Sequence, residues 1–240
     1  MQAVLIMGKK FLFLVFIWFA NASYAQVHEI GISLGGSNYV GDIGASTLIR
    51  PNALAYGLLY RYNRNPRIAY RASITSMSLK ANNADSNNKI RQLFDTPVNK
   101  KITEFTGGIE FNFFEFNFSH WKRPRTPYFI FELAVFNYKT AVGTAADYSY
   151  KSKMGVALPF GFGYKAEISD HLVLGIETRI RFTFTDDIDD SLFYKDNLDP
   201  IEDSENAKFN NPDTNDWYSF TGLTLTYTFG RPLNYTTKRH

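Results

Sequence analysis

The sequence contains no cysteine. Disulfide bonds, thiolate catalysis and a lipid-modified cysteine after a signal peptide are therefore excluded. Net charge is also small, because 26 basic residues are opposed by 23 acidic ones. A chain with this balance shows no sign of an electrostatic footprint for nucleic acid, and we expect no nucleic-acid partner.

Long apolar runs are missing from most of the chain. Two lysines precede one run at residues 11–20, and small residues, Ser23 and Ala25, stand where a signal peptidase reads. This pattern predicts a cleaved signal peptide over residues 1–25, with Gln26 as the mature start. The run is shorter than the about 20 residues that a spanning helix needs. A mature protein in the membrane would therefore have to cross it as a closed β-barrel.

What the mature sequence does contain is alternation of apolar and polar residues. The clearest case is residues 172–184, where Gly175, Glu177, Arg179, Arg181 and Thr183 form the second face. The first face consists of Leu172, Leu174, Ile176, Thr178, Ile180, Phe182 and Phe184. One face suits lipid and the other a polar lumen, which is typical of a membrane barrel. The 22 Phe and 15 Tyr residues suit aromatic girdles at two lipid interfaces.

Eight segments follow this rhythm and predict an all-β protein, an eight-stranded antiparallel transmembrane β-barrel. The predicted strands are 27–36, 53–62, 67–79, 102–118, 127–138, 154–168, 171–185 and 217–229. Four long connections, 37–52, 80–101, 139–153 and 186–216, alternate with three short ones, 63–66, 119–126 and 169–170. In bacterial outer-membrane barrels the long loops are extracellular and the short turns periplasmic. We therefore expect a barrel over residues 26–229 in the outer membrane, with both termini periplasmic and a short periplasmic tail at 230–240.

Charged residues recur on the predicted lumen face. They are Arg61, Arg71, Glu104, Glu110, Glu132, Lys165, Glu167, Glu177, Arg179 and Arg181. An eight-stranded barrel is just wide enough to be filled by its own side chains. Because buried charges must be partnered, we interpret the set as paired structural plugs, with a proton or ion path as the alternative.

No catalytic, cofactor or metal site is predicted. The histidines, His28, His120, His171 and His240, lack zinc-site spacing, and no nucleophile elbow occurs. A glycine cluster within residues 31–44 is followed by turn chemistry and no helical period, so it does not predict a phosphate loop. We expect no small-molecule substrate.

Residues 186–216 carry eleven acidic residues and only two lysines. Hard carboxylate oxygens suit a divalent cation, but the spacing differs from an EF-hand loop. A solvated acidic loop is the default interpretation, and cation binding stays open.

The short turns and the tail are basic instead. The candidate partner-binding residues are Arg64, Arg67, Lys122, Arg123, Arg125 and Arg231. A basic rim on the periplasmic side favours a partner with an acidic or polar surface.

Three stretches, residues 31–44, 181–190 and 222–230, resemble the PorG family of outer-membrane barrels of the type IX secretion system. The third is similar to a terminal signal for the barrel-assembly machinery. The resemblance implies a non-enzymatic component that associates with a periplasmic ring of PorK-type and PorN-type proteins. Two alternatives from other classes remain: a lipid-modifying barrel enzyme, and a small-solute pore with a continuous lumen.

Overall fold

A computed structural model describes residues 27–41, 47–82, 84, 98–118, 123–144, 147–190 and 215–230. These residues form eight strands. The strands are β1 (Val27–Val40), β2 (Ala53–Asn63), β3 (Ile68–Ala81), β4 (Val98–Asn112), β5 (Arg125–Thr144), β6 (Asp147–Ser169), β7 (Leu172–Thr183) and β8 (Trp217–Phe229). Within the described part of the chain, no helix has the length and apolar composition that a membrane crossing demands.

The strands follow one another around a closed antiparallel barrel, as predicted. Closure comes from β1 and β8, which pair from His28↔Phe229 to Val40↔Trp217. Closure removes the free edges that an open sheet would expose to lipid. The end of the barrel that contains Val27 and Phe229 is called here the terminus end, and the opposite end the loop end. Connections 64–67, 113–118 and 170–171 lie at the terminus end, and residues 184–190 lie at the loop end.

The outer surface is apolar over the middle of every strand. Exposed side chains include Ile32 on β1, Leu58 on β2, Leu133 on β5 and Leu225 on β8, with Leu58 61% and Leu133 64% exposed. The side chains between them point inward and are buried, and many are charged. A water-soluble protein buries its apolar residues and exposes its charges, so this barrel has the reverse arrangement.

Two regions differ from the predicted strand bounds. Strand β4 covers Val98–Asn112 and not 102–118, and residues 113–118 leave the wall. Strands β5 and β6 include the described residues 139–144 and 147–153 of the predicted loop 139–153, so that this connection belongs to a long hairpin. The other strands begin and end close to the predicted bounds.

Some predictions fall outside the described residues. These are the signal peptide over 1–25, the mature start at Gln26 and all of the tail except Gly230.

Candidate functional site

The lumen is filled by a network of buried charges. Among the described residues it contains five cations and five carboxylates in mutual contact. The cations are Arg61, Arg71, Lys165, Arg179 and Arg181, and the carboxylates are Glu29, Glu104, Glu110, Glu132 and Glu177. Equal numbers of opposite charges meet the requirement that a buried ion be paired.

Several of these pairs cross the lumen. Arg71 on β3 donates through both terminal nitrogens to Glu177 on β7, each at 3.1 Å, although β3 and β7 are not neighbours in the ring. Glu177 also accepts a hydrogen bond of 2.9 Å from the hydroxyl of Tyr128. Arg61 Nε on β2 donates to Glu110 on β4 at 2.8 Å. The Arg71–Glu177 pair joins opposite walls, and together these side chains occupy the space that a solute would need.

A second layer lies nearer the loop end. Arg181 donates to both carboxylate oxygens of Glu104, at 3.2 and 2.9 Å, and the Tyr218 hydroxyl donates to the same carboxylate at 2.8 Å. Arg179 Nη1 donates to Glu132 at 3.1 Å. The charged network therefore extends along much of the barrel axis.

Residues 184–190 close the loop end of the lumen. The Ile188 side chain is fully buried and packs in an apolar cluster with Phe136 and Tyr218. Its N–H donates to Asp216 Oδ2 at 2.9 Å, and the Tyr39 hydroxyl, which has one proton to donate, lies within hydrogen-bond distance of the carboxyl groups of both Asp189 and Asp216. The contacts of Asp189 and Asp216 thus hold residues 184–190 at the loop end of the barrel.

Hydrogen bonds also fix Asp187 and Asp190 of this segment. Asp190 accepts hydrogen bonds from Lys100, from Thr140 and from the backbone of Ala141. Burial alone would raise the pKa of Asp187, but hydrogen bonds from Lys153, Thr185 and Tyr138 hold it below its usual value. For Asp216, burial and the nearby carboxylate of Asp189 raise the pKa to about 8.

The interpretation of the 186–216 region as a solvated acidic loop is therefore wrong for part of it. Asp187, Asp189, Asp190 and Asp216 are buried. Most of their partners lie far away in the sequence, such as Tyr138 for Asp187 and Lys100 for Asp190, so only the folded barrel reveals these contacts. Among the described residues, no group of three or more His, Cys, Asp or Glu side chains is placed to hold a metal ion.

The terminus end is closed by aromatic side chains. Phe116 and Phe118, predicted to lie in β4, fold beneath the barrel and bury against Val27 and Val173. The Lys165 ammonium lies 4.5 Å from the centre of the Phe116 ring, within the range of a cation–π contact. Side chains thus fill both ends of the lumen as well as its middle.

The candidate partner-binding residues that the structure describes are at the terminus end. Arg64, Arg67, Arg123 and Arg125 are all exposed. Two are fixed by carbonyl oxygens: Arg67 Nη1 donates to Phe113 O at 2.8 Å, and Arg123 Nη1 donates to Ile168 O at 2.5 Å. The other two predicted members, Lys122 and Arg231, lie outside the described residues.

The structure confirms that all ten predicted lumen charges are buried. The prediction missed Glu29, which is fully buried and pairs with Arg61 at 3.1 Å. Alternation was the available signal, because Val27, Glu29 and Ser33 share the inward face of β1. The two described histidines lie among aromatic rings at the terminus end: His28 Nδ1 is 2.8 Å from the Tyr60 hydroxyl, and His171 stacks on Tyr227.

A closed barrel with an apolar outside and a charge-paired inside defines the class: a β-barrel of the outer-membrane type. Within that class, the chain belongs to the family described as Domain of unknown function (DUF6089), whose model matches residues 8–238.

Several solved outer-membrane proteins are similar to the chain. Ail, the attachment invasion locus protein of Yersinia pestis, is 12% identical with a TM-score of 0.47, and the match covers 85% of this chain and 99% of Ail. Neisserial surface protein A is 10% identical with a TM-score of 0.48, covering 85% and 97%. The N-terminal β-barrel domain of Pseudomonas aeruginosa OprF is 11% identical with a TM-score of 0.45, covering 85% and 97%. No curated protein matches the chain.

Proposed function

We propose that this protein is a non-enzymatic outer-membrane component of a type IX secretion system. In this proposal its terminus end is periplasmic and contacts a ring built from PorK-type and PorN-type proteins, while outer-membrane lipid covers the apolar wall. The sequence stretches 31–44, 181–190 and 222–230, which resemble the PorG family, connect the barrel to secretion.

The observation that carries the partner-binding part is the exposed basic rim, defined by Arg64, Arg67, Arg123 and Arg125. These side chains lie at the same end as Val27 and Phe229, in or beside the connections between strands. Guanidinium groups here would meet a periplasmic partner and not the lumen. Charge on such a rim favours encounter with an acidic surface.

The filled lumen weighs against the small-solute pore. Pairs such as Arg71 with Glu177 span the interior, and Phe116 and Ile188 occupy its two ends. A conducting path would have to displace paired charges and buried apolar side chains together, which is costly.

The test is recovery of the ring proteins with the barrel from gently solubilised envelopes. A rim variant combines Arg64→Glu, Arg123→Glu and Arg125→Glu. Its matched control reverses as many charges at the opposite end, with Lys101→Glu, Lys139→Glu and Lys151→Glu, all of which are exposed. Single exposed pairs contribute about 0–1 kcal/mol each, so the changes are combined.

We expect the wild type and the loop-end control to recover the ring proteins, and the rim variant to lose them while it still shows the heat-modifiable gel mobility of a folded barrel. Equal recovery by both variants would place the contact elsewhere. Failure of the folded wild type to recover any ring protein would contradict the secretion role itself.

A further inference from the structure

The β5–β6 hairpin extends past the rest of the barrel wall at the loop end. Pairing between β5 and β6 continues to Thr144↔Asp147, whereas pairing between β6 and β7 stops at Ala157↔Thr183. After Thr183 the chain turns towards β8, where the Asp216 N–H donates to Thr185 O at 2.9 Å. In the part of the chain that the structure describes, the first stretch of β6, before Val156, therefore pairs with a strand on one side only.

The orientation of the backbone along this free edge follows from one hydrogen bond. Phe184 N donates to Val156 O at 3.3 Å, so Val156 turns its backbone groups towards the β7 side. Backbone groups alternate in direction along a strand, so Tyr150, Ser152 and Met154 face the same way as Val156. No strand among the described residues pairs with these three on that side.

The edge is open to solvent and positively charged. Residues 147–154 of β6 are all exposed, and Met154 is 73% exposed. Lys151 on β6 and Lys139 on β5 are exposed, while Lys153 is half-exposed and pairs with Asp187. Lysine on a free edge discourages pairing with another copy, because antiparallel registers centred on Lys151 or Ser152 would set lysines opposite one another.

We propose that the free edge of β6 at residues 149–155 binds an extended acidic segment of a partner protein by strand addition. Main-chain hydrogen bonds from Tyr150, Ser152 and Met154 supply affinity, and the lysines select acidic side chains. Because Val156 and Leu158 mark the border of the apolar wall, the partner would dock just beyond the membrane surface, at the end opposite the basic rim.

The experiment uses the full chain in lipid nanodiscs and two synthetic nine-residue peptides, one alternating glutamate with threonine and valine, the other carrying lysine in place of glutamate. Binding is measured by fluorescence anisotropy, and residue-resolved amide exchange is measured by NMR. We expect the acidic peptide to bind at least tenfold more tightly than the basic one. It should slow exchange at Tyr150, Ser152 and Met154, while Ser149, Lys151 and Lys153, which bond to β5, are already slow.

The matched variants are Ser152→Pro and Ser152→Ala. Both variants lose the hydrogen bond that Asn137 Nδ2 on β5 donates to Ser152 Oγ at 2.8 Å, so the alanine variant controls for that loss. Proline also removes the outward backbone N–H, so affinity for the acidic peptide should fall at least tenfold, whereas the alanine variant should bind like the wild type. Equal binding by the two variants, equal binding of both peptides, or no binding of the acidic peptide would overturn the proposal. Dimers in light scattering that Ser152→Pro abolishes would overturn it in favour of a second copy. Protection only in nanodiscs that contain anionic lipid would overturn it in favour of a headgroup site.

Discussion

At the scale of single residues, a carboxylate in the lumen network at the centre of the barrel contributes far more to the free energy of unfolding than a carboxylate at the rim. Glu177 contacts Arg71, Arg179 and Tyr128, and its side chain is fully buried. Glu115 at the terminus end lies 3.8 Å from Arg67, its one ion-pair partner among the described residues, and is 57% exposed. The two glutamates offer the same chemical change in opposite surroundings.

We expect Glu177→Gln to lower the free energy of unfolding in detergent by about 3–5 kcal/mol, because it leaves buried guanidinium groups without their counter-charge. Glu115→Gln should change it by about 0–1 kcal/mol. Urea titration followed by tryptophan fluorescence measures both. Comparable losses in the two variants would contradict the pairing.

Because the pKa of Asp216 at the loop end is raised, we expect the free energy of unfolding to depend on pH. Burial and the carboxylate of Asp189 raise its pKa to about 8, above the about 3.9 of an unfolded chain. A raised pKa means that the folded state holds the proton more tightly. This contribution to stability is complete below about pH 4, falls as the pH rises towards 8 and is absent above it.

Asp216→Asn, which cannot ionise, should therefore flatten the decline in the free energy of unfolding between about pH 4 and about pH 8. The comparison is made by urea titration of both proteins across that range. If the free energy of unfolding of the wild type falls no more steeply with pH than that of the variant, Asp216 does not hold a proton in the folded barrel.

At the scale of strands, closure of the ring depends on a close approach between β1 and β8. A Cβ on Gly31 would lie 2.0 Å from the carbonyl oxygen of Leu225, which is backbone and cannot rotate away. A Cβ on Gly107 of β4 would meet nothing within 4 Å. These glycines form a matched pair for testing the seam.

Gly31→Ala should reduce the folded fraction after refolding into detergent, because strand separation at the seam must increase; overpacking costs about 1–3 kcal/mol. Gly107→Ala should refold like the wild type. Heat-modifiable gel mobility reports the folded fraction. An unimpaired Gly31→Ala protein would show that the seam is looser than the register implies.

The sequence predicts a strand and its register only where the two faces of that strand have different surroundings. In β7, lipid outside and paired charge inside impose different residues, so both the strand and its register follow from alternation. The sequence predicts a loop over 139–153 because much of this hairpin has solvent on both faces and carries no alternation. The opposite error arose at 113–118, where alternating phenylalanines resemble a strand but instead bury Phe116 and Phe118 beneath the barrel.

The contacts at the loop end cannot be predicted from the sequence, for a different reason. Tyr39 and Asp216 belong to opposite ends of the chain and meet only because β1 and β8 close the ring. Arg64 and Arg123, by contrast, occur in connections that the alternation itself delimits, so their exposure followed from the sequence.

At the scale of the whole molecule, the lumen is braced by ion pairs and closed at both ends, which leaves the two rims as the surfaces open to other proteins. The terminus end presents arginines on connections, and the loop end presents a free strand edge. The proposed function assigns the first of these to the periplasmic ring.

The most direct test of that assignment is site-specific cross-linking in intact cells. A photo-reactive amino acid replaces Arg64 or Arg125 at the terminus end, or Ser152 at the loop end, and adducts are identified by mass spectrometry. The account predicts adducts with PorK-type or PorN-type proteins from positions 64 and 125 and none with these proteins from position 152. Ring-protein adducts from position 152, or their absence from both terminus-end positions in folded protein, would contradict it.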